Sequence, residues 1–131
     1  MILGVGIDHV DAGRIGELVD RFGERGERRL FTERELDRCS DRPDPTECLA
    51  ARFAAKEAFV KALGTGLRGM RWTDVEVRGS EGEPPRLVLY GGAREAFDRF
   101  VGERDGGRIH VSLTHEAGSA TAVVVLEAAT A

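Results

Sequence analysis

The sequence has no apolar run long enough to cross a membrane, and its start lacks a charged leader followed by an apolar core. It has only two cysteines, Cys39 and Cys48, which are too few and too irregularly placed for a metal cluster. We therefore expect a cytoplasmic protein with reduced thiols and no membrane partner. Its net charge of −4 over 131 residues also argues against general binding to nucleic acid.

Familiar catalytic and cofactor motifs are equally scarce. The sequence has no Cys/His pair, no Gly-x-Ser-x-Gly elbow, and at Gly4-Val-Gly6 it lacks the third glycine of a dinucleotide fingerprint. Among 19 basic residues only Lys56 and Lys61 are lysines. Both lysines fall in one segment, residues 52–64, which is therefore the first place to look for a site.

Residues 52–64 lie in a predicted amphipathic helix that carries charge in an unusual place. At about 100° per residue, four apolar side chains share one stripe of this helix: Leu49, Phe53, Val60 and Leu63. Lys56 falls within that stripe and Glu57 lies at its edge. A carboxylate at the margin of a core is costly unless a metal ion or a lysine pairs with it.

The rest of the pattern predicts one α+β domain over residues 1–131, with a largely antiparallel sheet packed with the long central helix. Alternating residues predict strands at 2–8, 72–78, 86–90, 109–114 and 120–127, with a turn at 79–85. Spacing and caps predict helices from 11 or 13 to 22, from the Thr32 capping box to before 41, from 45 or 46 to 63, and over 93–101.

Asp8 lies on the same strand face as Gly4 and Gly6, which leave room for another backbone or a ligand. It can cap the helix that follows, or it can join Glu57 as a ligand of Mg²⁺. That ion typically takes one or two carboxylates and fills its other positions with water and substrate phosphates. Lys61, one turn after Glu57, is either a helix-stabilising partner or a point charge for a phosphate.

Two further polar groups have open interpretations. Eight arginines lie between residues 14 and 42, and they form either a face for an acidic partner or a solvated surface with interleaved carboxylates. His110, Ser112 and Thr114 share one face of a predicted strand, and such a face is more often exposed than functional.

Three segments, taken in order, resemble the holo-[acyl-carrier-protein] synthase family, the small class of the 4′-phosphopantetheinyl transferases: residues 4–10, residues 52–66 with 72–77, and residues 110–115. The middle segment, Arg-Phe-Ala-Ala-Lys-Glu-Ala-Phe-Val-Lys-Ala-Leu-Gly-Thr-Gly, is the most specific. The resemblance extends from residue 2 to about residue 127 and implies that family's α+β fold. It also implies a homotrimer with active sites at the subunit interfaces, since a chain with one motif set needs a neighbour to complete the cleft.

The resemblance implies transfer of 4′-phosphopantetheine from coenzyme A to a serine of apo acyl carrier protein, in support of fatty acid biosynthesis. The serine hydroxyl would attack the β-phosphate, and adenosine 3′,5′-bisphosphate would leave. Asp8 and Glu57 would bind Mg²⁺, and Glu57 and Lys61 would act in catalysis. The implied contacts to coenzyme A, or organisers of its site, are Arg52, Lys56, Lys61, Gly64 and His110. The hypothesised contacts to the carrier protein are Arg14, Arg21, Arg25 and Arg28.

Several points stay open at this level. The general base is a metal-bound water, Glu57 or Asp37, and the preferred carrier is not indicated, because residues 33–48 and 79–85 match no family motif closely. Two other classes remain: a non-catalytic coenzyme A or nucleotide-binding module, and an adaptor that binds an acidic protein through its arginine face. The presence of both Asp8 and Glu57 argues against the module, and the adaptor leaves the pair of Lys56 and Glu57 unexplained.

Overall fold

The computed structural model describes residues 1–79 and 82–129, and its elements follow the predicted order. The helices are α1 (Ala12–Leu30), α2 (Glu33–Ser40), α3 (Pro45–Leu63) and α4 (Gly91–Val101), with a 3₁₀ turn at Trp72–Asp74. The strands are β1 (Ile2–Asp11), β2 (Val75–Arg78), β3 (Arg86–Leu89), β4 (Gly107–Glu116) and β5 (Ser119–Ala128). Residues 80 and 81 of the predicted turn at 79–85 lie outside the described residues.

The strands form two antiparallel sheets. One has three strands in the order β1-β5-β4, and the other is the hairpin of β2 and β3. The three-stranded sheet packs one face against α3, and that interface contains much of the core. The predicted α+β class with antiparallel strands around a long central helix is confirmed.

Helix α3 begins and ends where its caps predict. The Asp44 side chain accepts from the Glu47 amide at its start, and Gly64 ends it in the left-handed conformation. The helix is not amphipathic, however, because β1, β5, α1, α2 and β2 enclose it on nearly all sides. Neither α3 nor any other helix within the described residues is long and apolar enough to span a membrane.

The glycines of β1 allow α3 to lie unusually close to the sheet. A Cβ atom added at Gly6 would lie 1.9 Å from the Ala58 carbonyl oxygen, and one added at Gly4 would lie 2.2 Å from that of Ala62. Any larger residue would push the helix away from the strand. The predicted close approach of a second backbone is therefore confirmed, and it brings the middle of α3 to the level of Asp8.

Helix α1 is longer than predicted. It bends at Gly23, where φ is 61° and ψ is −149°, next to the predicted end at Phe22. A second helical half then continues to Leu30. The predicted capping box of α2 is confirmed, with the Glu35 amide donating to the Thr32 hydroxyl and the Thr32 amide donating to Glu35 Oε1.

The two cysteines form a disulfide between the end of α2 and the first turn of α3. The prediction of reduced thiols is therefore wrong. Composition alone suggested it, but α2 folds back against α3 and brings Cys39 and Cys48 to a Cα separation of 5.5 Å, within bonding range.

Candidate active site

Asp8 lies within β1 on the face that packs against α3, and it is buried. Its Oδ1 accepts from Lys61 Nζ at 2.8 Å, and the same Nζ donates to the Ile7 carbonyl at 3.1 Å. Asp11, further along the strand, caps α1 by accepting from the Gly13 amide at 2.9 Å. Capping is therefore the role of Asp11, and the Asp8 carboxylate faces the helix that carries Lys61.

Glu57 lies beside Asp8, one turn before Lys61 on α3. Burial, followed by contact with Asp8, raises the pKa of Glu57 to about 7, although the charges of Arg14 and Lys61 act in the opposite direction. Two neighbouring carboxylates repel each other when both are ionised. The pair therefore favours a proton or a cation between its members.

The second oxygen of the Asp8 carboxylate, Oδ2, is buried and has no hydrogen-bond partner among the residues that the structure describes. A buried polar atom left unpaired costs about 1–3 kcal/mol, and a bond to a metal would offset that cost. Carboxylate oxygens are the hard donors that Mg²⁺ prefers. Asp8 and Glu57 thus fit the implied cation.

Protein ligands alone would not complete such a site. Over residues 1–79 and 82–129, no cluster of three or more His, Cys, Asp or Glu side chains could hold a metal ion. Two carboxylates suit a cation that takes its remaining ligands from water and a bound phosphate, as Mg²⁺ commonly does.

Lys56 is implied as a contact to coenzyme A, but it lies in the core and is fully buried. Its Nζ donates to the Leu30 carbonyl at 2.7 Å, to Glu35 Oε1 at 2.6 Å and to the Trp72 carbonyl at 3.1 Å. Burial lowers the pKa of Lys56, and the charge of Glu35 opposes that shift. All three ammonium protons of Lys56 are used within the chain, which favours the organising role over a direct contact with coenzyme A. The role of Lys56 toward coenzyme A stays a prediction.

His110 lies on the opposite face of the three-stranded sheet from Asp8. It pairs with Val125, which pairs with Val5, and the Val5 side chain is 59% exposed. Its Nε2 lies 3.0 Å from Glu127 Oε1, and this contact lowers the pKa of Glu127. The sheet separates His110 from Asp8 within one chain.

Arg52 and Gly64 lie further along α3, in opposite directions from Glu57. Arg52 is half-buried, its Nη1 donates to the Cys48 carbonyl at 3.2 Å, and burial lowers its pKa. Its Nε is buried without a partner in the described part of the chain. Gly64 borders an open groove that also contains Arg68. The structure therefore brings together Asp8, Glu57 and Lys61, and it leaves Arg52 and Gly64 outside that group.

The family model of the 4′-phosphopantetheinyl transferase superfamily matches residues 4–120. The chain belongs to this superfamily. It is 46% identical over 127 residues to a holo-[acyl-carrier-protein] synthase of Halothermothrix orenii, and the match covers 97% of this chain and 98% of that protein.

Solved structures of similar proteins agree with this membership of the superfamily. The holo-[acyl-carrier-protein] synthase of Neisseria meningitidis is 35% identical, with a TM-score of 0.82 over 97% of this chain and 99% of that one. The enzyme of Helicobacter pylori, solved in complex with coenzyme A, is 31% identical, with a TM-score of 0.78 over 94% of this chain and 99% of that one.

This member of the superfamily exposes all four hypothesised carrier contacts on α1: Arg14, Arg21, Arg25 and Arg28. Arg14 is near enough to Glu57 to act on its pKa. The other three line a groove at the bend of α1 together with Leu18 and Phe22. Phe22 is 56% exposed, and the Arg21 guanidinium lies 5.3 Å from the centre of its ring.

Of the candidate bases, only Glu57 belongs to the carboxylate pair. Asp37 is exposed on α2 and lines a separate groove with Glu27 and Thr73. A carboxylate with a pKa near 7 suits proton transfer at neutral pH, and a bound cation would lower that pKa. A metal-bound water, the third candidate base, therefore stays an alternative to Glu57.

Sequence reasoning missed Glu35 as anything other than a helix cap. Its carboxylate is buried, and it accepts from Lys56 and from the Val77 amide, the latter at 2.9 Å. Two signals were available, namely a glutamate in a capping box and a lysine in an apolar stripe. Their contact joins positions 21 residues apart, which no helical or strand spacing can show.

Proposed function

We propose that this chain transfers 4′-phosphopantetheine from coenzyme A to a serine of an apo acyl carrier protein, with Mg²⁺ as cofactor. The serine oxygen forms a bond to the β-phosphorus, and the bond from that phosphorus to the bridging oxygen breaks. Adenosine 3′,5′-bisphosphate leaves with the electron pair, and the serine proton passes to a base. We propose further that this reaction takes place in the cytoplasm and supports fatty acid biosynthesis, as the family resemblance suggests.

The observation that carries the proposal is the buried Asp8 carboxylate. One of its oxygens is paired with Lys61, the other has no partner among the described residues, and Glu57 lies beside it. This arrangement occurs in a chain of a superfamily named for this transfer. Mg²⁺ bound there would stabilise the charge that develops on the leaving phosphate.

Lys61 supplies the second positive charge of the proposed site. Its side chain is 56% exposed, so its ammonium group can contact a phosphate while it also bonds Asp8. The hydrogen bond with Asp8 raises the pKa of Lys61, which keeps it protonated. Arg52, with its unpaired Nε, is the proposed contact to a further phosphate of the nucleotide.

A second copy of the chain would complete the cleft in this proposal. The outer face of the three-stranded sheet, which carries His110 on β4, exposes three apolar side chains of β1 at its other edge: Ile2 (64%), Val5 (59%) and Ile7 (61%). Covering such side chains is favourable, and a contiguous apolar patch often marks an interface. A homotrimer built on this face would let His110 serve the site of a neighbour.

One measurement tests the reaction directly. The chain is incubated with coenzyme A, Mg²⁺ and apo acyl carrier protein, and the carrier is weighed by mass spectrometry. We expect a gain of one phosphopantetheine that EDTA and Glu57→Ala both abolish. The exposed Glu95→Gln on α4 is the matched control and should leave the gain unchanged.

The outcome also separates the competing classes. A binding module would retain coenzyme A without modifying the carrier, and an adaptor would bind the carrier whether or not coenzyme A is present. Absence of a mass gain with a panel of fatty-acid and polyketide carriers would contradict the proposed transfer.

The arginines of α1 are the proposed docking face for the carrier, which is small and acidic by family resemblance. Arg21 and Arg25 line the groove around Phe22, away from the carboxylate pair, whereas Arg14 acts on Glu57 directly. Reversing Arg21 and Arg25 to Glu should therefore raise KM for the carrier far more than KM for coenzyme A. Arg94→Glu on α4 is the control, and equal rises in both KM values would refute docking at this face.

A further inference from the structure

Lys56 and Glu35 form a buried ion pair that the proposed reaction does not use. Lys56 Nζ lies 2.6 Å from Glu35 Oε1, and neither side chain is exposed. The same Nζ donates to the carbonyls of Leu30 and Trp72. We call this pair of residues the clamp.

The clamp joins five parts of the fold at one point. Glu35 Oε1 also accepts from the Thr32 amide, and Oε2 accepts from the Val77 amide. Two side chains thereby hold the last residue of α1, the first turn of α2, the 3₁₀ turn at Trp72–Asp74, the middle of β2 and the centre of α3. Lys56 additionally lies over the Phe31 ring, 5.3 Å from its centre.

Stability alone is a poor reason for such a pair. Replacing a buried ion pair by well-packed apolar residues is often neutral or stabilising, because both charges must be removed from water. The neighbours of Lys56 on α3 are mostly alanine and phenylalanine, so an apolar residue would suit the surroundings. What the clamp adds is a fixed relative position of the elements it joins. Its hydrogen bonds form only when the donors and acceptors of these elements lie in one arrangement.

The part of the fold that most needs its position fixed is the second half of α1. The bend at Gly23 interrupts the helix, so the first half does not dictate where residues 24–30 lie. This half carries Arg25 and Arg28 of the docking groove. Its last carbonyl, that of Leu30, bonds Lys56, which immediately precedes Glu57.

We propose that the clamp is a positioning device that holds the carrier-docking half of α1 in register with the Asp8 and Glu57 carboxylates. This inference rests on the proposed function. Neither Lys56 nor Glu35 touches a substrate, and both act through the elements they hold. Without the clamp, coenzyme A and the cation still bind, but the docking half occupies its competent position only part of the time. If that fraction falls to about one tenth, KM for the carrier rises about tenfold.

The decisive variant is Glu35→Gln combined with Lys56→Met, which removes both charges and so leaves neither one unpaired in the core. We expect its KM for the carrier to rise about tenfold and its KM for coenzyme A to stay within about twofold. Val101→Ala in α4 is the control, because it weakens the core outside the clamp. All proteins are assayed well below their unfolding temperatures.

Two results would overturn the inference: a double variant with the parent KM for the carrier, or equal rises in both KM values. Glu35→Asp alone keeps both charges but shortens the side chain by one methylene, which weakens its bonds to the Thr32 and Val77 amides, and it replaces the double variant if that protein does not fold. It should change KM for the carrier in the same direction by a smaller factor.

Hydrogen exchange read by mass spectrometry tests the clamp without relying on activity. Residues 24–32 should exchange faster in the double variant than in the parent, while residues 12–22 keep their rates. In the Val101→Ala control, residues 24–32 should exchange as they do in the parent. Unchanged exchange over 24–32 would overturn the inference. A parent chain that modifies no carrier would refute the proposed function, and the exchange result would still decide whether the clamp holds α1.

Discussion

Two adjacent residues of α3 carry charge into the protein with opposite results. Lys56 meets Glu35, and every proton of its ammonium group has an acceptor. Glu57 meets Asp8, a second carboxylate, and Lys61 pairs with only one of the Asp8 oxygens. The first cluster is balanced within the chain, whereas the second carries excess negative charge and an unpaired oxygen among the described residues.

The difference helps to separate structural from functional charge. A buried group that is fully paired has no capacity left for a ligand, and its role is to hold elements together. A buried group that is incompletely paired keeps a cost that a ligand can relieve. By this criterion Asp8 and Glu57 are the better candidates for the site, and Lys56, although it belongs to the same sequence motif, is a weaker one.

Removing one proposed Mg²⁺ ligand from the unbalanced cluster should have the largest effect. Asp8→Asn keeps the shape of the side chain but removes its negative charge, and we expect the transfer rate to fall about 10³-fold. The rate is measured by mass spectrometry at saturating Mg²⁺ and coenzyme A. Asp98→Asn, in an exposed ion pair of α4, is the control. A rate within about tenfold of the parent would contradict the assignment of Asp8.

Removing one charge of the balanced cluster should mainly lower the free energy of unfolding. Lys56→Met leaves Glu35 buried without its cation, so the free energy of unfolding should fall by about 3–5 kcal/mol. Urea denaturation measures this value, and the double variant with Glu35→Gln should recover part of the loss. If the single and double variants are equally stable, the two charges do not balance each other.

Breaking the disulfide between α2 and α3 should lower the free energy of unfolding by a smaller amount. Reduction of the bond between Cys39 and Cys48 releases a short loop, and we expect unfolding to become easier by roughly 2–3 kcal/mol. Urea denaturation with and without a reductant measures this difference. The Cys39→Ser/Cys48→Ser variant should not respond to the reductant, and a parent chain that also does not respond would contradict the bond.

The smallest effect is a pH dependence of the unbalanced cluster. The pKa of Glu57 is about 7 in the folded chain and 4.5 as its ordinary value. Between these values the folded state holds a proton that the unfolded state has released, so metal-free stability falls as pH rises from about 4.5 to about 7. Because Glu57 is only partly buried, solvent screening limits the loss to about 1–2 kcal/mol.

Glu57→Gln removes the joint titration of Glu57 with Asp8 and leaves the groups outside this pair in place. Unfolding in urea and EDTA at about pH 5 and about pH 8 should show a steeper loss of stability in the parent than in the variant. Identical pH slopes would mean that the Glu57 carboxyl does not titrate in the proposed way.

Local features of the fold were predictable because they depend on a few neighbouring residues. The capping box at Thr32, the proline-initiated start of α3 and its end at Gly64 all follow from local sequence and are confirmed. The extension of α1 beyond Gly23 was missed, because a glycine at a bend resembles a glycine at an end. The disulfide was missed because two cysteines carry no periodic signal.

The site was predictable in part. Asp8, Glu57 and Lys61 were singled out from the sequence, and the structure brings them together. Residue type and spacing placed Lys56 within the predicted stripe and Glu57 at its edge, but they could not show which charged group each side chain meets. Their roles in metal binding and catalysis stay predictions that the variants above can test.

By itself, the sequence determined the caps, the glycine face of β1 and the family to which the chain belongs, because each is written in short segments. Only the tertiary structure decided which charges meet. Lys61 and Asp8 are 53 residues apart, and Lys56 and Glu35 are 21 apart. The first contact exists because Gly4 and Gly6 let α3 approach the sheet, and the second because α2 folds against α3. Contacts over such separations have no period in the sequence. Only tertiary packing decides that Lys56 is fully paired and that Glu57 lies beside an incompletely paired carboxylate.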